Sequence, residues 1–298
     1  MGLRLKFIWL AVLWTVTMVL RRRPGAGLLQ RFYDCLGALL NRDYQEVRFL
    51  NFGYHRENDG WQVSGLTEKE RLQRHQAHLY HAVAAPAGVG PPTDLDVLET
   101  GSGRGGGLAY IHRFFRPHRS VGIDFSATAV DFCKQTYTGE CPDFIRADAA
   151  AIPFADRSFD RILCIETAHC LPAATLLQEC SRVLRPGGLL LMADLVSPQR
   201  VPSLESAMLR AGLQIRERED ITLDVLRSLE RDDARKIAYL NRTRGSAVFR
   251  FFYRTFMGCQ GTAGFDQFAL GRRVYLRWVL AREEAGSRIT PTSLDKSG

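Results

Sequence analysis

Apolar positions in the middle of the chain form short runs that alternate with longer amphipathic stretches. Five short runs have the length and composition of buried strands: Asp96–Glu99, Ser120–Asp124, Asp143–Ala147, Phe159–Ile165 and Gly188–Ala193. Three stretches between them have helical spacing: Gly106–Phe115, Ala127–Thr136 and Thr175–Leu184. Strands that alternate with helices in this way indicate a parallel sheet with helices on both faces. The predicted fold class is therefore α/β.

The segments on either side of this region extend the predicted fold. Apolar and polar residues alternate along Leu213–Glu219 and Arg273–Arg282, which predicts two further strands. Thr222–Phe256 between them is predicted to be a helical lid. Before the first strand, Pro24–Asn41 and Leu66–Ala84 have helical spacing, and Gln45–Trp61 is predicted to be irregular. The expected organisation is an N-terminal helical segment over 24–84, a main domain over 85–282 and a disordered tail over 283–298.

The first 23 residues have a different composition from the rest. Phe7–Leu20 reads FIWLAVLWTVTMVL, 14 residues without a charge, and basic residues flank it on both sides. A spanning helix needs about 20 apolar residues and a signal-peptide core about 7–15. Because no small-residue cleavage site follows, a retained membrane anchor over 1–23 is expected, and a cleaved signal or a core helix are the other readings. Spanning and monotopic insertion both stay open.

The charge of the chain indicates which partners it has, and its cysteine content indicates the redox compartment. The chain has 40 Lys and Arg against 32 Asp and Glu, a net charge of +8. Five of the basic residues lie in the first 23 positions, where no acidic residue occurs, so the remainder carries only +3. A nucleic-acid partner is not predicted. The seven cysteines are scattered without a C-x-x-C pair, which favours a reducing compartment over a disulfide framework or a zinc site.

A glycine-rich loop follows the first predicted strand. It reads VLETGSGRGGG over Val97–Gly107, and its glycines let the backbone approach a ligand. The Gly-x-Gly-x-x-Gly spacing alone also suits a dinucleotide. Glu99, just before the turn, favours an ammonium group and would repel a pyrophosphate. Asp124, at the end of the second strand, can accept both ribose hydroxyls, and Asp148 with Ala149 can bind an adenine ring. The predicted cofactor-binding residues also include Gly101, Ser102, Gly103 and Phe125.

Glu99, the glycine loop, Asp124 and Asp148 occur in this order and are followed by LRPGGLLLMAD. Together these motifs resemble those of class I S-adenosylmethionine-dependent methyltransferases, and the resemblance extends from about Arg48 to Arg282. The resemblance implies a Rossmann-like, mostly parallel seven-stranded sheet and S-adenosyl-L-methionine as cofactor. Five segments are similar to the small-molecule methyltransferases of polyketide, quinone and sterol pathways, in particular the mycobacterial phthiotriolone-dimycocerosate type. They are FLNFGY, HLYH, GRGGGLAY, ETAHC and FMGCQGT. This closer resemblance implies methylation of a hydroxyl on a lipidic or polyketide-like molecule.

For two residues in the resembling segments, the sequence allows two alternative roles. Tyr80 in HLYH is expected either to close over the cofactor or to be a half-buried helix tyrosine. Glu166 in ETAHC is expected either to contact the methionine end of the cofactor or to cap a helix. His75, His78 and His81 are spaced by three, which does not suit a metal, and no metal is predicted.

A catalytic pair is predicted at the carboxyl edge of the sheet. His169 follows the fourth strand and Asp194 ends the fifth, and parallel sheets build their sites at this edge. Sugar O-methyltransferases of this fold are similar in having a histidine and an aspartate there. A neutral histidine can take a proton near pH 7. His169 is therefore predicted to be the general base and Asp194 the residue that orients it.

The sequence thus favours a membrane-anchored O-methyltransferase that acts on an apolar small molecule. C-methylation of a sterol or quinone ring is the alternative reaction, and an inactive cofactor-binding membrane scaffold is the alternative of another class. The catalytic domain is expected on the cytosolic side of the membrane, where the cofactor is made and cysteines stay reduced.

Overall fold

A computed structural model of the chain describes residue 6 and residues 26–139, 142–242 and 247–283. Its centre is one sheet of seven strands in the order β3-β2-β1-β4-β5-β7-β6. The strands are β1 (Asp96–Thr100), β2 (Arg119–Asp124), β3 (Asp143–Arg146), β4 (Phe159–Ile165), β5 (Leu184–Val196), β6 (Leu213–Asp220) and β7 (Val274–Arg282). All seven predicted strands are present, and the Rossmann-like, mostly parallel sheet is confirmed.

The direction of the strands determines which residues share an edge. Strands β1 to β5 are parallel to one another, so β1, β2 and β4 all end on the same side. Strand β7 is antiparallel to both β5 and β6. Its first residue, Val274, therefore pairs with Val196 at the end of β5. Residues just before β7 consequently lie at the same edge as residues that follow the parallel strands.

Ten α-helices are present among the described residues. They are α1 (Ala26–Asp43), α2 (Glu68–Arg71), α3 (Arg74–Ala84), α4 (Gly106–Phe115), α5 (Ala127–Thr136), α6 (Ala173–Val183), α7 (Val201–Arg210), α8 (Thr222–Arg242), α9 (Ala247–Phe256) and α10 (Ala263–Ala269), with 3₁₀ turns at Val63–Gly65 and Pro198–Arg200. They cover both faces of the sheet. Along β4, Leu163 joins one apolar core and its neighbours Ile162 and Cys164 join the other, as strand alternation requires.

Two predicted helical stretches each contain two helices in the described residues. Leu66–Ala84 divides into α2 and α3 at Leu72 and Gln73, because Gln73 has a non-helical backbone with φ −125° and ψ 39°. Thr67 caps the start of α2, since its side chain accepts from the Glu70 N–H while Glu70 accepts from the Thr67 N–H. The predicted lid Thr222–Phe256 is two helices, α8 and α9, and 243–246 between them lie outside the described residues.

A third apolar cluster joins α1 to α8 and α9. Phe32 and Leu36 of α1 pack with Tyr253 of α9 and Leu240 of α8. The Tyr44 and Tyr253 rings stack with their centroids 5.8 Å apart. This cluster places α1 and α9 together above the carboxyl edge of the sheet.

The predicted anchor Phe7–Leu20 lies outside the described residues, and so does the predicted tail beyond Glu283. In the part of the chain that is described, no helix is both long and apolar enough to cross a bilayer.

Candidate active site

A cavity of about 850 Å³ lies above the carboxyl edge of the sheet. One end is formed by the glycine loop and by residues that follow β2 and β4. The other end is apolar and is formed by residues of α1 and α9, including Leu36, Leu40, Phe252 and Phe256. The cavity is within the usual size range of ligand pockets. Its two ends differ in chemistry: polar groups lie at the sheet edge, and hydrocarbon and aromatic side chains lie under the helices.

The glycine loop leaves backbone at the cavity surface. Gly101 has a φ of +69°, and a Cβ at this position would lie 2.3 Å from the Thr167 hydroxyl. The N–H groups of Gly101 and Ser102 both donate to the Ile123 carbonyl, at 2.8 and 3.0 Å. The loop is therefore fastened to the end of β2, and a side chain at Gly101 would displace the segment that follows β4.

Asp124 lies beside this loop, and its carboxylate can accept further hydrogen bonds. Its Oδ2 accepts from the Gly103 N–H and its Oδ1 from the Ser126 N–H, both at 2.8 Å. Burial raises the pKa of the carboxyl although both hydrogen bonds favour its charged form. Each carboxylate oxygen can accept a second bond, so Asp124 retains capacity for two hydroxyls. The buried Ser102 hydroxyl also lines the cavity and has no partner among the described residues.

Three more of the predicted cofactor-binding residues line the same end. Phe125, Asp148 and Ala149 all contribute to the cavity wall. Asp148 is exposed and accepts from the Ala150 N–H at 2.8 Å. The Phe125 ring contacts the Tyr33 ring edge to face, 5.7 Å between centroids. The structure thus brings Asp124, Phe125, Asp148 and Ala149 together as one surface.

Glu99 is more deeply placed than these residues. Its Oε1 accepts a 2.6 Å hydrogen bond from the Tyr80 hydroxyl, and Tyr80 lines the cavity whereas Glu99 does not. The second oxygen, Oε2, is buried as well, and burial raises the pKa of Glu99 to about 8 although hydrogen bonds from Tyr80 and from the Leu108 backbone favour its charged form. Gly107 makes this arrangement possible, since a Cβ there would lie 1.8 Å from the Tyr80 ring. Glu99 and Tyr80 therefore form a hydrogen-bonded pair beside the cavity, and Tyr80 is the member that lines it.

Glu166 connects the loop after β4 to two other elements. It accepts from the Phe52 N–H at 2.8 Å and from the Tyr275 hydroxyl at 2.9 Å. Its φ is +52°, which is uncommon for a residue with a side chain. Burial raises the pKa of its carboxyl to about 7. Glu166 also lines the cavity, so it holds the segment around Phe52 over the site and contributes a polar group to it.

His169 and Asp194 are in direct contact. The Nδ1 atom of His169 lies 2.7 Å from Asp194 Oδ1, and the His169 N–H donates to Asp194 Oδ2 at 3.0 Å. Asp194 is almost completely buried, with its side chain 1% exposed, whereas that of His169 is 22% exposed at the cavity wall. Burial lowers the pKa of His169, but Cys170 and Asp194 together raise it well above its usual value. The imidazole is thus held in one orientation, with Nε2 as the ring nitrogen not bound to Asp194.

Three parts of the cavity wall were absent from the prediction. Tyr33 of α1 lies beside Cys170, with its hydroxyl 3.6 Å from the thiol. Phe251 of α9 is 73% exposed and lines the cavity. Arg273 lies just before β7 and also lines it. The position of Arg273 follows from the antiparallel direction of β7, a signal that the alternation pattern alone does not contain.

The three histidines of α3 have separate surroundings. His78 Nε2 lies 2.7 Å from Asp59, and its ring stacks on Trp61. His81 Nδ1 lies 2.9 Å from the Tyr110 hydroxyl. Among the described residues, no group of three or more His, Cys, Asp or Glu could hold a metal ion.

Comparison with known proteins identifies the family. A family model described as a methyltransferase domain matches residues 98–192. The fatty-acid O-methyltransferase of Mycolicibacterium smegmatis is 37% identical over 188 residues, which are 63% of this chain and 67% of that protein. The phthiotriol/phenolphthiotriol dimycocerosates methyltransferase of Mycobacterium tuberculosis is 33% identical over 218 residues, 73% of this chain and 78% of that protein. The chain belongs to the class I S-adenosylmethionine-dependent methyltransferases.

The fold of this methyltransferase also matches a solved structure. A geranyl diphosphate C-methyltransferase from Streptomyces coelicolor A3(2), in complex with Mg²⁺, geranyl diphosphate and S-adenosyl-L-homocysteine, has a TM-score of 0.54 and 17% identity. The match covers 84% of this chain and 98% of that structure.

The cofactor is S-adenosyl-L-methionine. The site fits it, because Asp124 has free capacity for ribose hydroxyls and the buried Ser102 hydroxyl lacks a partner among the described residues.

Proposed function

We propose that this methyltransferase is membrane-anchored and transfers a methyl group to a hydroxyl of an apolar, lipid-like molecule, with His169 as the general base. The observation that carries the proposal is the continuity of one cavity. It joins the cofactor residues at the sheet edge to the apolar pocket under α1 and α9, and His169 lies in its wall.

The apolar end of the cavity supports a substrate with a hydrocarbon body. Leu36, Leu40, Phe252 and Phe256 provide a lining without charge. The acidic side chains in the whole lining are Asp124, Asp148 and Glu166, and all three lie toward the cofactor end. The names of the two relatives agree with a lipid-like substrate, since one is named for fatty acids and the other for phthiotriol dimycocerosates.

A hydroxyl acceptor requires a base, because an alcohol is not ionised near neutral pH. When bound, S-adenosyl-L-methionine supplies the methyl group as a sulfonium electrophile. His169 Nε2 is suited to receive the hydroxyl proton, since Nδ1 is occupied by Asp194 at 2.7 Å. The buried Asp194 carboxylate then stabilises the imidazolium that forms. Asp194 itself keeps its orientation by accepting from the Leu195 N–H at 2.7 Å.

The proposed anchor connects directly to the site. Phe7–Leu20 precedes α1 by only a few residues, and α1 lines the apolar end of the cavity. The exposed ring of Phe251 lies at the same end. An anchor in the bilayer would hold this end against the membrane, so that an apolar substrate could enter from the lipid. We place the catalytic domain on the cytosolic side, where S-adenosyl-L-methionine is made.

The proposal can be tested with a labelled methyl group. Full-length protein in nanodiscs is incubated with methyl-labelled S-adenosyl-L-methionine and a cellular lipid extract, and the organic phase is analysed. We expect label in lipid that resists mild alkali and is released by hydriodic acid, as in a methyl ether. Release by mild alkali would identify a methyl ester and contradict a hydroxyl acceptor. Label resistant to both treatments would show C-methylation, and no label in lipid would contradict a lipid substrate.

A further inference from the structure

A second cavity lies on the other side of His169. It has a volume of about 1,140 Å³ and is formed by the end of β5, the 3₁₀ turn Pro198–Arg200, helix α7 and the residues before β7. His169, Cys170, Leu195 and Arg273 line both this cavity and the one that contains the cofactor residues. The two cavities therefore meet at the proposed base.

Four arginines give the second cavity its charge: Arg200, Arg210, Arg272 and Arg273. Asp194 is the only acidic residue in its described lining, and that carboxylate is already bound to His169. Within the described residues none of the four guanidinium groups is paired with a carboxylate. Other arginines at this sheet are paired; Arg277, for example, lies 2.7 Å from Glu217.

Arg273 is the innermost of the four. It is half-buried, and it lies where the two cavities join. Burial lowers its pKa, Asp194 raises it, and the charge of Arg200 lowers it further. A guanidinium that is partly removed from water without a bound carboxylate is costly, and an anion in the cavity would compensate for this cost.

Most of the remaining wall of the cavity is apolar, and Ser197, Gln199 and Ser203 add hydroxyl and amide groups to it. Leu29 of α1, Ala168, Leu204 and Ala207 contribute to the apolar part. A cleft with cationic side chains and a mostly apolar wall suits an amphiphile better than a simple salt. We name the surface formed by Arg200, Arg210, Arg272 and Arg273 the arginine cleft.

We propose that the arginine cleft binds the anionic group, a carboxylate or phosphate, of an amphiphilic substrate whose acceptor hydroxyl lies next to His169. The apolar chain of the same molecule would occupy the cavity under α1 and α9. This inference rests on the proposed function, because only the shared His169 assigns the cleft to the substrate. Free phosphate shares the chemistry of such a group, and the test separates the two sources.

Calorimetric titration with matched probes tests the inference. Octyl phosphate, octyl glucoside and inorganic phosphate are each titrated into full-length protein in phosphatidylcholine nanodiscs, with empty nanodiscs as the blank. The variant is Arg200→Gln/Arg210→Gln, in which both side chains are exposed. The control is Lys69→Gln/Arg74→Gln, which removes the same charge from exposed positions in α2 and α3. S-adenosyl-L-methionine is titrated into every variant to verify the fold.

We expect octyl phosphate to bind about tenfold more tightly than octyl glucoside, because charged hydrogen bonds add to the same chain. The cleft variant should lose about this factor for octyl phosphate alone, and the control variant should lose none. Inorganic phosphate should bind more weakly than octyl phosphate, since it buries no chain.

Three results would overturn the inference: equal affinity for octyl phosphate and octyl glucoside, an unchanged affinity in the cleft variant, or inorganic phosphate binding as tightly as octyl phosphate. The last would identify a site for a free anion. If any of these occurs while S-adenosyl-L-methionine binds and lipid is methylated, the inference fails and the proposed function stands. If lipid is not methylated, the proposed function fails separately.

Discussion

His169 and Asp194 form two hydrogen-bonding contacts with each other, one through the ring and one through the backbone. The Nδ1–Oδ1 distance is 2.7 Å and the N–Oδ2 distance is 3.0 Å. Because both carboxylate oxygens are used, the loop after β4 and the end of β5 hold each other in place. The same carboxylate that orients the imidazole therefore also fixes the position of the histidine in the cavity wall.

This contact predicts the pH dependence of the reaction. Burial lowers the pKa of His169, but Cys170 and Asp194 raise it above its usual value. A base must be neutral, so kcat/KM for a hydroxyl acceptor should rise with pH through this raised pKa. In Asp194→Asn the rising limb should move to lower pH, and its plateau should fall by about tenfold or more. The profiles are measured from neutral to alkaline pH. If kcat/KM rose over the same pH range in the wild-type protein and in Asp194→Asn, this would contradict the contact between His169 and Asp194 as the cause of the raised pKa.

Cofactor binding is expected to depend on the bare backbone at Gly101. In Gly101→Val the new Cβ would displace Thr167, which lies 2.3 Å from the Cβ position. The affinity for S-adenosyl-L-methionine should fall by more than about a hundredfold, since unpairing buried polar groups costs ~1–3 kcal/mol each. The matched control is Gly88→Val, because Gly88 also has a positive φ of +76° but no atom within 4 Å of its Cβ position. Equal losses in both variants, measured by titration, would attribute the effect to backbone strain.

The sheet and its edge could be predicted because strand and helix periodicities are local. Gly106–Phe115, Ala127–Thr136 and Phe159–Ile165 occur with the predicted bounds. The order of the strands along the chain was also enough to place His169 and Asp194 at one edge.

Other features depend on contacts between distant parts of the chain. The sequence places Glu99 beside the glycine loop, but its hydrogen bond to Tyr80 depends on the space that Gly107 leaves between two helices. The apolar end of the cavity combines α1 with α9, which are separated by about 200 residues and meet only through tertiary packing. No local pattern contains this information.

The apolar end of the cavity predicts the effect of an exposed aromatic residue. Phe251 is 73% exposed, so Phe251→Ser should leave the melting temperature unchanged. The KM for the lipid acceptor should rise about tenfold, since full burial of a Phe side chain contributes roughly 1.5–3 kcal/mol and this one is only partly covered. Leu270→Ser is the control, because Leu270 is 61% exposed and does not line the cavity. A KM that changes equally in both variants would contradict a role for Phe251 at this site.

Asn241 provides a reporter for the orientation in the membrane. Asn241-Arg242-Thr243 is the only N-x-S/T acceptor in the chain, and Asn241 is exposed near the end of α8. With a cytosolic catalytic domain, the protein expressed in a eukaryotic cell should show no mass shift on glycosidase treatment. The same chain placed behind a cleaved signal sequence should be glycosylated, which verifies that the acceptor is usable. A glycan on Asn241 without that added signal would place the domain in the lumen.

The most direct measurement is turnover and cofactor affinity in the same His169→Ala preparation. We predict a loss of about 10²–10⁴ in turnover on the lipid acceptor, the usual contribution of a general base, with the affinity for S-adenosyl-L-methionine little changed. His118→Ala is the control, since His118 also contacts a carboxylate, Asp96 at 2.8 Å, but is exposed and lies outside the cavity lining. Wild-type turnover by His169→Ala on that acceptor would contradict the assignment of His169 as the base.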